Sequence, residues 1–146
     1  MEVSFSLMKE VTRKLINNFE IMSKKVDFCG YKVDRCESLN FHHLIIPKRE
    51  CYKKNVPNEG YVYWNGAILV RDTSHDYIHL IEKRDYKIFS YITSEMIDIN
   101  VKGFLDIENL KNIGELLSEF EYKYSNVVNK EGKKLIKSKY YDRLYK

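Results

Sequence analysis

The stretch Leu39-Asn-Phe-His-His-Leu-Ile-Ile-Pro-Lys-Arg-Glu50, or LNFHHLIIPKRE, decides how this chain is interpreted. Residues 39–46 are dense in strand-forming side chains, and Pro47 cannot donate the backbone hydrogen bond that would extend a strand. The sequence therefore predicts a strand over 39–46. Because successive side chains of a strand point to opposite faces, His42 and His43 cannot both face one site directly.

The two other histidines, His75 and His79, are four residues apart. Residues 67–71 (AILVR) predict a second strand, antiparallel to the first, and residues 72–74 (DTS) offer N-cap side chains for a helix that begins near His75. Residues four apart on a helix share one face, so both imidazoles can point at one metal ion. One histidine of the strand pair would be the third ligand, which leaves the other free as a base with a pKa near neutrality.

Three short segments together resemble the HNH endonucleases, also called His-Me finger nucleases, in the variant found in colicin-type DNases. The segments are FHHLIIP with His42 and His43, WNGAILV with Asn65, and TSHDYIH with His75 and His79. The resemblance covers residues 39–83, and closely similar stretches occur in small phage-related proteins of low-GC bacteria. It implies an α+β fold in which a ββα-metal finger is flanked by N- and C-terminal helices.

Carried over residue by residue, the resemblance implies a metal-dependent endonuclease that hydrolyses DNA phosphodiester bonds. His42, His75 and His79 would bind one divalent metal ion and leave a position open for a phosphate oxygen. His43 would be the general base that deprotonates water, and Asn65 would orient that base. Three neutral imidazoles suit zinc or nickel, and they admit Mn²⁺ or Mg²⁺ once water and phosphate oxygens complete the shell.

A connection of about twenty residues, 48–66, separates the two predicted strands and exceeds the usual loop length. Its basic side chains either contact DNA or belong to an ordinary solvated loop, and both interpretations stay open; they are Lys48, Arg49, Lys53 and Lys54. Arg71 and Lys48 either clamp a phosphate or are surface charges.

Two acidic residues lie close to the helical histidines, one before and one after His75. Asp72 and Asp76 are predicted to accept hydrogen bonds from imidazole N–H groups, although helix capping explains Asp72 equally well. The mixed-charge run over 82–85 is interpreted as a solvated helix face with no role in the site.

Helical periodicity flanks the predicted finger on both sides. Apolar residues recur at intervals of three and four, which predicts a helix over 4–24 and a helical segment over 105–146. A chain of 146 residues that is 44% hydrophobic fits a single domain over 1–146. Residues 127–146 hold seven Lys or Arg interleaved with tyrosines, which fits either contact with a phosphate backbone or a solvated terminus.

Composition bounds the class of protein. No segment approaches the roughly 20 apolar residues of a membrane span and no signal peptide is visible, so we expect a cytoplasmic protein without a membrane partner. Cys29, Cys36 and Cys51 form no C-x-x-C pair, which predicts free thiols; a structural metal held by two of them is the alternative.

A second functional class stands beside the nuclease. The chain is alternatively a non-catalytic HNH-like phage protein that keeps the finger and binds a protein or nucleic-acid complex as an inhibitor or adaptor. DNA is the expected partner, RNA and a protein partner stay open, and the sequence does not determine an oligomeric state.

Overall fold

The computed structural model describes residues 4–131 and, within them, one two-stranded antiparallel sheet. β1 (Leu39–His43) pairs with β2 (Gly66–Val70) in a register that places His42 opposite Ala67 and His43 opposite Gly66. The predicted antiparallel pairing is confirmed, and the combination of this sheet with helices before and after it confirms the α+β class. Every residue of β2 is buried, so the sheet belongs to the core.

The N-terminal helix is shorter than predicted. α1 covers Phe5–Asn18, Glu20 then adopts a left-handed φ of 54°, and a single turn, α2 (Ile21–Lys24), follows. The continuous helix over 4–24 is therefore wrong. Phe19 and Ile21 are both fully buried, and because residues two apart on one helix do not share a face, the chain must turn between them.

β1 ends at His43, before the predicted end at residue 46. The side-chain Oδ1 of Asn65 accepts the backbone N–H groups of Ile45 and Ile46 at 2.8 and 2.7 Å. The N–H of Leu44 donates to the Asn65 carbonyl oxygen at 2.8 Å. These donors are satisfied by a single asparagine, so the chain can leave the sheet without unpaired backbone groups.

The connection between the strands is not the structureless loop that we predicted. α3 covers Lys48–Lys53 directly after Pro47, and single helical turns follow at Pro57–Gly60 and Tyr63–Asn65. Pro47 stops the strand, but its fixed φ also suits the start of a helix, and the buried Cys51 then anchors α3. Three of the basic side chains of this segment, Lys48, Arg49 and Lys53, are therefore presented from a helix, and Lys54 follows its end.

The turn that leads into the next helix is not capped as predicted. A wide π-helical turn, Arg71–His75, precedes α4 (Asp76–Arg84), and no side chain caps the N-terminus of α4. The Ser74 hydroxyl instead donates to Oδ2 of Asp27 and accepts the backbone N–H of Val70. The predicted cap is wrong because the Ser74 hydroxyl donates its proton to Asp27 and its oxygen accepts the N–H of Val70, not an N–H of α4.

Three helices complete the described chain: α5 (Tyr86–Lys102), α6 (Ile107–Lys123) and α7 (Ser125–Glu131). α5 packs against β2, α4 and α6, so it links the sheet to the C-terminal helices. The predicted helical segment over 105–146 includes α6 and α7. Its remainder, with most of the basic residues of the C-terminal stretch, lies outside the described residues.

Buried apolar side chains of the helices and the sheet form one core cluster. All three cysteines are free, as predicted; Cys29 and Cys51 are buried and Cys36 is exposed. Within residues 4–131, no helix has both the length and the apolar character needed to cross a membrane.

Candidate metal centre and cleft

Three of the four histidines converge where β1 meets the beginning of α4. Ring centroids lie 5.2 Å apart for His42 and His75, 5.4 Å for His42 and His79, and 4.7 Å for His75 and His79. One ligating nitrogen of each residue lies within 4.8 Å of the other two. The structure thus brings together the three residues that the sequence selects as metal ligands.

A buried acid that no sequence motif singled out holds the chain segment that leads into this cluster. Asp27 is fully buried, and its Oδ2 accepts the backbone N–H of Val70 at 3.0 Å and the hydroxyl of Ser74. One carboxylate therefore ties the end of β2 to the residue before His75. The available signal was an acidic residue inside the short apolar segment at 26–29, which is rarely tolerated unless the carboxylate is bonded.

The environment keeps two of the clustered imidazoles, those of His42 and His75, neutral. Burial, followed by the neighbouring His75 and His79, lowers the pKa of His42 well below its ordinary value of 6.5. Burial and the proximity of His79 lower the pKa of His75 to about 4. Since only a neutral imidazole has a lone pair to donate, both residues are in the ligand form at neutral pH.

The cluster fits a divalent metal ion. The Nε2 atom of His42 is buried without a hydrogen-bond partner among the described residues, and an unsatisfied buried polar atom costs on the order of 1–3 kcal/mol. Tetrahedral coordination with metal–nitrogen bonds of about 2.0–2.1 Å separates two ligand nitrogens by roughly 3.3 Å. The Nε2 atoms of His75 and His79 are 3.1 Å apart, which fits this spacing, and the ligand nitrogen of His42 lies within 4.8 Å of both.

Glu82 holds the imidazole of His79 from the side away from the cluster. Nδ1 of His79 lies 3.2 Å from Oε1 of Glu82, and Oε2 of Glu82 lies 3.6 Å from Nη1 of Arg49. A carboxylate that accepts the Nδ1 proton leaves Nε2 with its lone pair and increases the basicity of the ring. Glu82 therefore selects the tautomer of His79 that metal binding requires.

This contact corrects the interpretation of the acidic residues. The run over 82–85 is not simply a solvated face, since Glu82 is half-buried and bonds a candidate ligand. The structure gives neither Asp72 nor Asp76 a hydrogen bond to an imidazole within residues 4–131; Asp76 acts on His75 only through its charge. The signal for Glu82 was its position three residues after His79, which puts both on one helix face.

His43, which follows His42 on β1, has different surroundings. Its ring meets those of Phe41 and Tyr61 edge-on, with centroids 5.1 and 4.9 Å away, and its Nε2 is buried without a hydrogen-bond partner in the described chain. Burial, followed by the charge of Lys48, lowers the pKa of His43 to about 4. Gly60 lies beneath the ring, where an added Cβ would come within 2.7 Å of the His43 Cδ2.

Asn65 acts on His43 through the backbone. Its fully buried amide donates to the carbonyl oxygens of Gly60 and Ile46 at 2.9 and 3.1 Å, while Oδ1 accepts the two N–H groups at the end of β1. The strand end next to His43 and the glycine beneath its ring are therefore held by one side chain. This gives a physical route for the predicted role of Asn65 in orienting the base.

A cleft of about 1120 Å³ contains all four histidines. Three of the predicted nucleic-acid contacts line it from α3: Lys48, Arg49 and Lys53. The other two, Lys54 and Arg71, lie outside its lining. The guanidinium of Arg71 instead donates to Asn40 Oδ1 and to the Glu37 carbonyl oxygen, each at 3.1 Å.

Comparisons with protein-family models, with curated proteins and with solved structures find no match for this chain. The resemblance to HNH endonucleases therefore stays a prediction, and the case for a function depends on the arrangement of the site. That arrangement combines three clustered imidazoles, the neutral imidazole of His43 and three cations in one cleft. Such a combination suits chemistry on a phosphorylated substrate.

Proposed function

We propose that the chain is a metal-dependent HNH-type endonuclease that hydrolyses DNA phosphodiester bonds, with β1, β2 and α4 as its ββα-metal finger. The carrying observation is the buried, unpartnered Nε2 of His42, which lies beside the ligand-ready rings of His75 and His79. A purely structural metal site has no need of a neighbouring base. Here His43 opens into the same cleft, which supports catalysis.

The residues divide the reaction between them. The oxygen of a water molecule forms a bond to phosphorus while the bond from phosphorus to the 3′ oxygen breaks, and the imidazole of His43 accepts the proton that water loses. A bound metal ion supplies the Lewis acid that stabilises negative charge on the phosphoryl and leaving oxygens. Lys48, Arg49 and Lys53 bind the substrate phosphates from α3.

The low pKa of His43 has two consequences for this role. At neutral pH the imidazole is unprotonated and ready to accept a proton, but a base with a pKa of about 4 is a weak one. Lys48 contributes to that low value. A substrate phosphate paired with Lys48 offsets its charge, which raises the pKa of His43 and strengthens the base once substrate is bound.

The donor set favours some metals over others. Three neutral imidazole nitrogens are ligands that zinc and nickel prefer, and phosphate oxygens complete a shell that Mn²⁺ or Mg²⁺ accepts. One divalent ion per chain is expected. Glu82 behind His79 tightens its binding in either case.

A plasmid cleavage assay tests the proposal. Chelator-treated protein is incubated with supercoiled DNA and, in separate reactions, Mg²⁺, Mn²⁺, Ni²⁺ or Zn²⁺. We expect cleavage with at least one metal, a fall of about 10²- to 10⁴-fold in His43→Ala with metal content unchanged, and loss of both metal and cleavage in His75→Ala and His79→Ala. Lys54→Ala, which changes an exposed cation outside the cleft, is the control with unchanged cleavage.

If plasmid and single-stranded DNA both stay intact with all four metals, the nuclease proposal is refuted. A non-catalytic metal-binding adaptor or inhibitor would then take its place, and the weak basicity of His43 is the observation that favours that alternative. Unchanged metal content in His75→Ala or His79→Ala would instead refute the ligand assignment.

A further inference from the structure

Two of the helices that border the histidine cleft, α3 and α5, differ in chemistry. α3 contributes Lys48, Arg49 and Lys53, which are all cationic. α5 contributes side chains without charge: Tyr86, Phe89, Ser90, Thr93, Ser94 and Ile97. The α3 side can therefore pair with phosphates, whereas the α5 side offers aromatic rings and hydroxyl groups.

The α5 wall has features of a base-binding surface. Tyr86 is 62% exposed, and its ring centroid lies 5.5 Å from that of Phe89, so an aromatic pair faces solvent at the beginning of the helix. Further along, the exposed Ser90 and Ser94 present hydroxyl groups to the cleft. Exposed aromatic rings stack on nucleobases, and free hydroxyl groups bond to base edges or sugars.

The lysines and the arginine that line the cleft all lie on α3. Glu82 is the one acidic residue among the described residues that line the cleft, and it pairs with Arg49 and with the imidazole of His79. The net positive charge therefore comes from Lys48 and Lys53. None of the α5 side chains that line the cleft is charged.

From this asymmetry we infer that the cleft binds a single-stranded or unpaired stretch of nucleic acid, with its phosphates along α3 and its bases against Tyr86 and Phe89. A duplex carries phosphates on both of its outer edges, so a cleft that enclosed one would need cations on both walls. A single strand has phosphates on one side and exposed ring faces on the other. A single strand is thereby the substrate class of the proposed nuclease, on which this step rests; binding of the strand can be measured whether or not the protein cleaves it.

Fluorescence anisotropy on the chelated full chain tests the binding. The probes are a labelled single-stranded DNA of about 12 nucleotides, within the usual range for one binding site, its duplex, and the same strand with abasic positions. We expect the single strand to bind at least tenfold more tightly than the duplex or the abasic strand. Tyr86→Ala should weaken single-strand binding by about 5- to 150-fold, the range for loss of one stacked base.

Matched variants separate stacking from a general loss of structure. Tyr91→Ala removes a 52% exposed tyrosine of the same helix that lies outside the cleft, and it should bind as the wild type does. Tyr86→Phe keeps the ring and should restore binding. Equal or tighter binding of the duplex, or equal effects of Tyr86→Ala and Tyr91→Ala, would overturn the inference.

Cleavage of the same oligonucleotides with added metal distinguishes this inference from the nuclease proposal. If the single strand binds through Tyr86 but no DNA is cut, the nuclease proposal fails and the binding inference stands. If the protein cuts the duplex in preference to the single strand, the nuclease proposal stands and the inference is wrong.

Discussion

The substitution Gly60→Ala tests the placement of His43 as the base. A Cβ at position 60 would lie 2.7 Å from Cδ2 and 2.8 Å from Nε2 of His43, and 3.0 Å from Sγ of Cys51. Ordinary carbon contacts are about 3.5–4.0 Å, so the imidazole must move by roughly 0.8 Å. The backbone cannot readily give way, since Asn65 holds the carbonyl oxygen of Gly60 and β2 pairs with His43.

The expected effect is on the reaction and not on the metal. A misplacement on the order of 1 Å in a reacting group costs as much as about 100-fold in rate, so we expect kcat/KM for plasmid cleavage to fall by about 10- to 100-fold. The three candidate metal ligands lie outside the contact with Gly60, and metal stoichiometry should be unchanged. Kinetics at saturating metal, together with metal analysis of the same preparation, measure both quantities.

Gly103→Ala is the matched control for loss of stability. Gly103 has a left-handed φ of 82°, and a Cβ added there would meet nothing within 4 Å, so alanine costs about 1–2 kcal/mol without touching the site. Its kcat/KM at a temperature where it stays folded should match the wild type. Wild-type kcat/KM in Gly60→Ala, or a similar loss in both variants, would refute the assignment of His43 as a positioned base.

Three further predictions concern the metal, the substrate and pH. Glu82→Gln should weaken metal binding by about 10- to 100-fold, because it removes the carboxylate behind His79; competition with a chelating dye measures this, and an unchanged affinity would contradict the role. Lys53→Ala should raise KM for DNA while Lys54→Ala leaves it unchanged, as only the former lines the cleft. Folding lowers the pKa of His75 from 6.5 to about 4. Between pH 6.5 and pH 4 the unfolded chain therefore binds a proton at His75 that the folded chain does not, and the free energy of unfolding should fall as the pH decreases through this range. For protein treated with a chelator, the urea midpoint should fall more between pH 7 and pH 5 in the wild type than in His75→Gln. Equal falls in the two proteins would contradict the lowered pKa of His75.

The sequence predicted the parts of the site that follow from local periodicity. The alternation of side chains along β1 separates His42 from His43, and the four-residue spacing brings His75 and His79 together, as the structure shows. The strand pairing followed from two apolar runs with turn residues between them. Each of these expectations needs only the geometry of one element or of two adjacent elements.

What the sequence could not predict depends on contacts between distant residues. The early end of β1 results from the amide of Asn65, about twenty residues further along, and no local pattern marks that competition. The cap expected before α4 was wrong because Asp27, 47 residues earlier, takes the Ser74 hydroxyl. The α5 wall of the cleft was missed for the same reason, since its position depends on how α5 packs across β2.

The connection between the strands determines how the two halves of the cleft are related. Asn65 uses both acceptor sites and both donors of its amide within this connection, on Ile45, Ile46 and Gly60. Those bonds close the segment into a unit that carries α3 at one end and the glycine beneath His43 at the other. The three-histidine cluster is held by β1, by α4 and by the carboxylate of Asp27, and the connection reaches it through the ion pair of Arg49 with Glu82. Changes within the connection should therefore act first on His43 and on the basic side chains of α3, and on the candidate metal ligands only through Glu82.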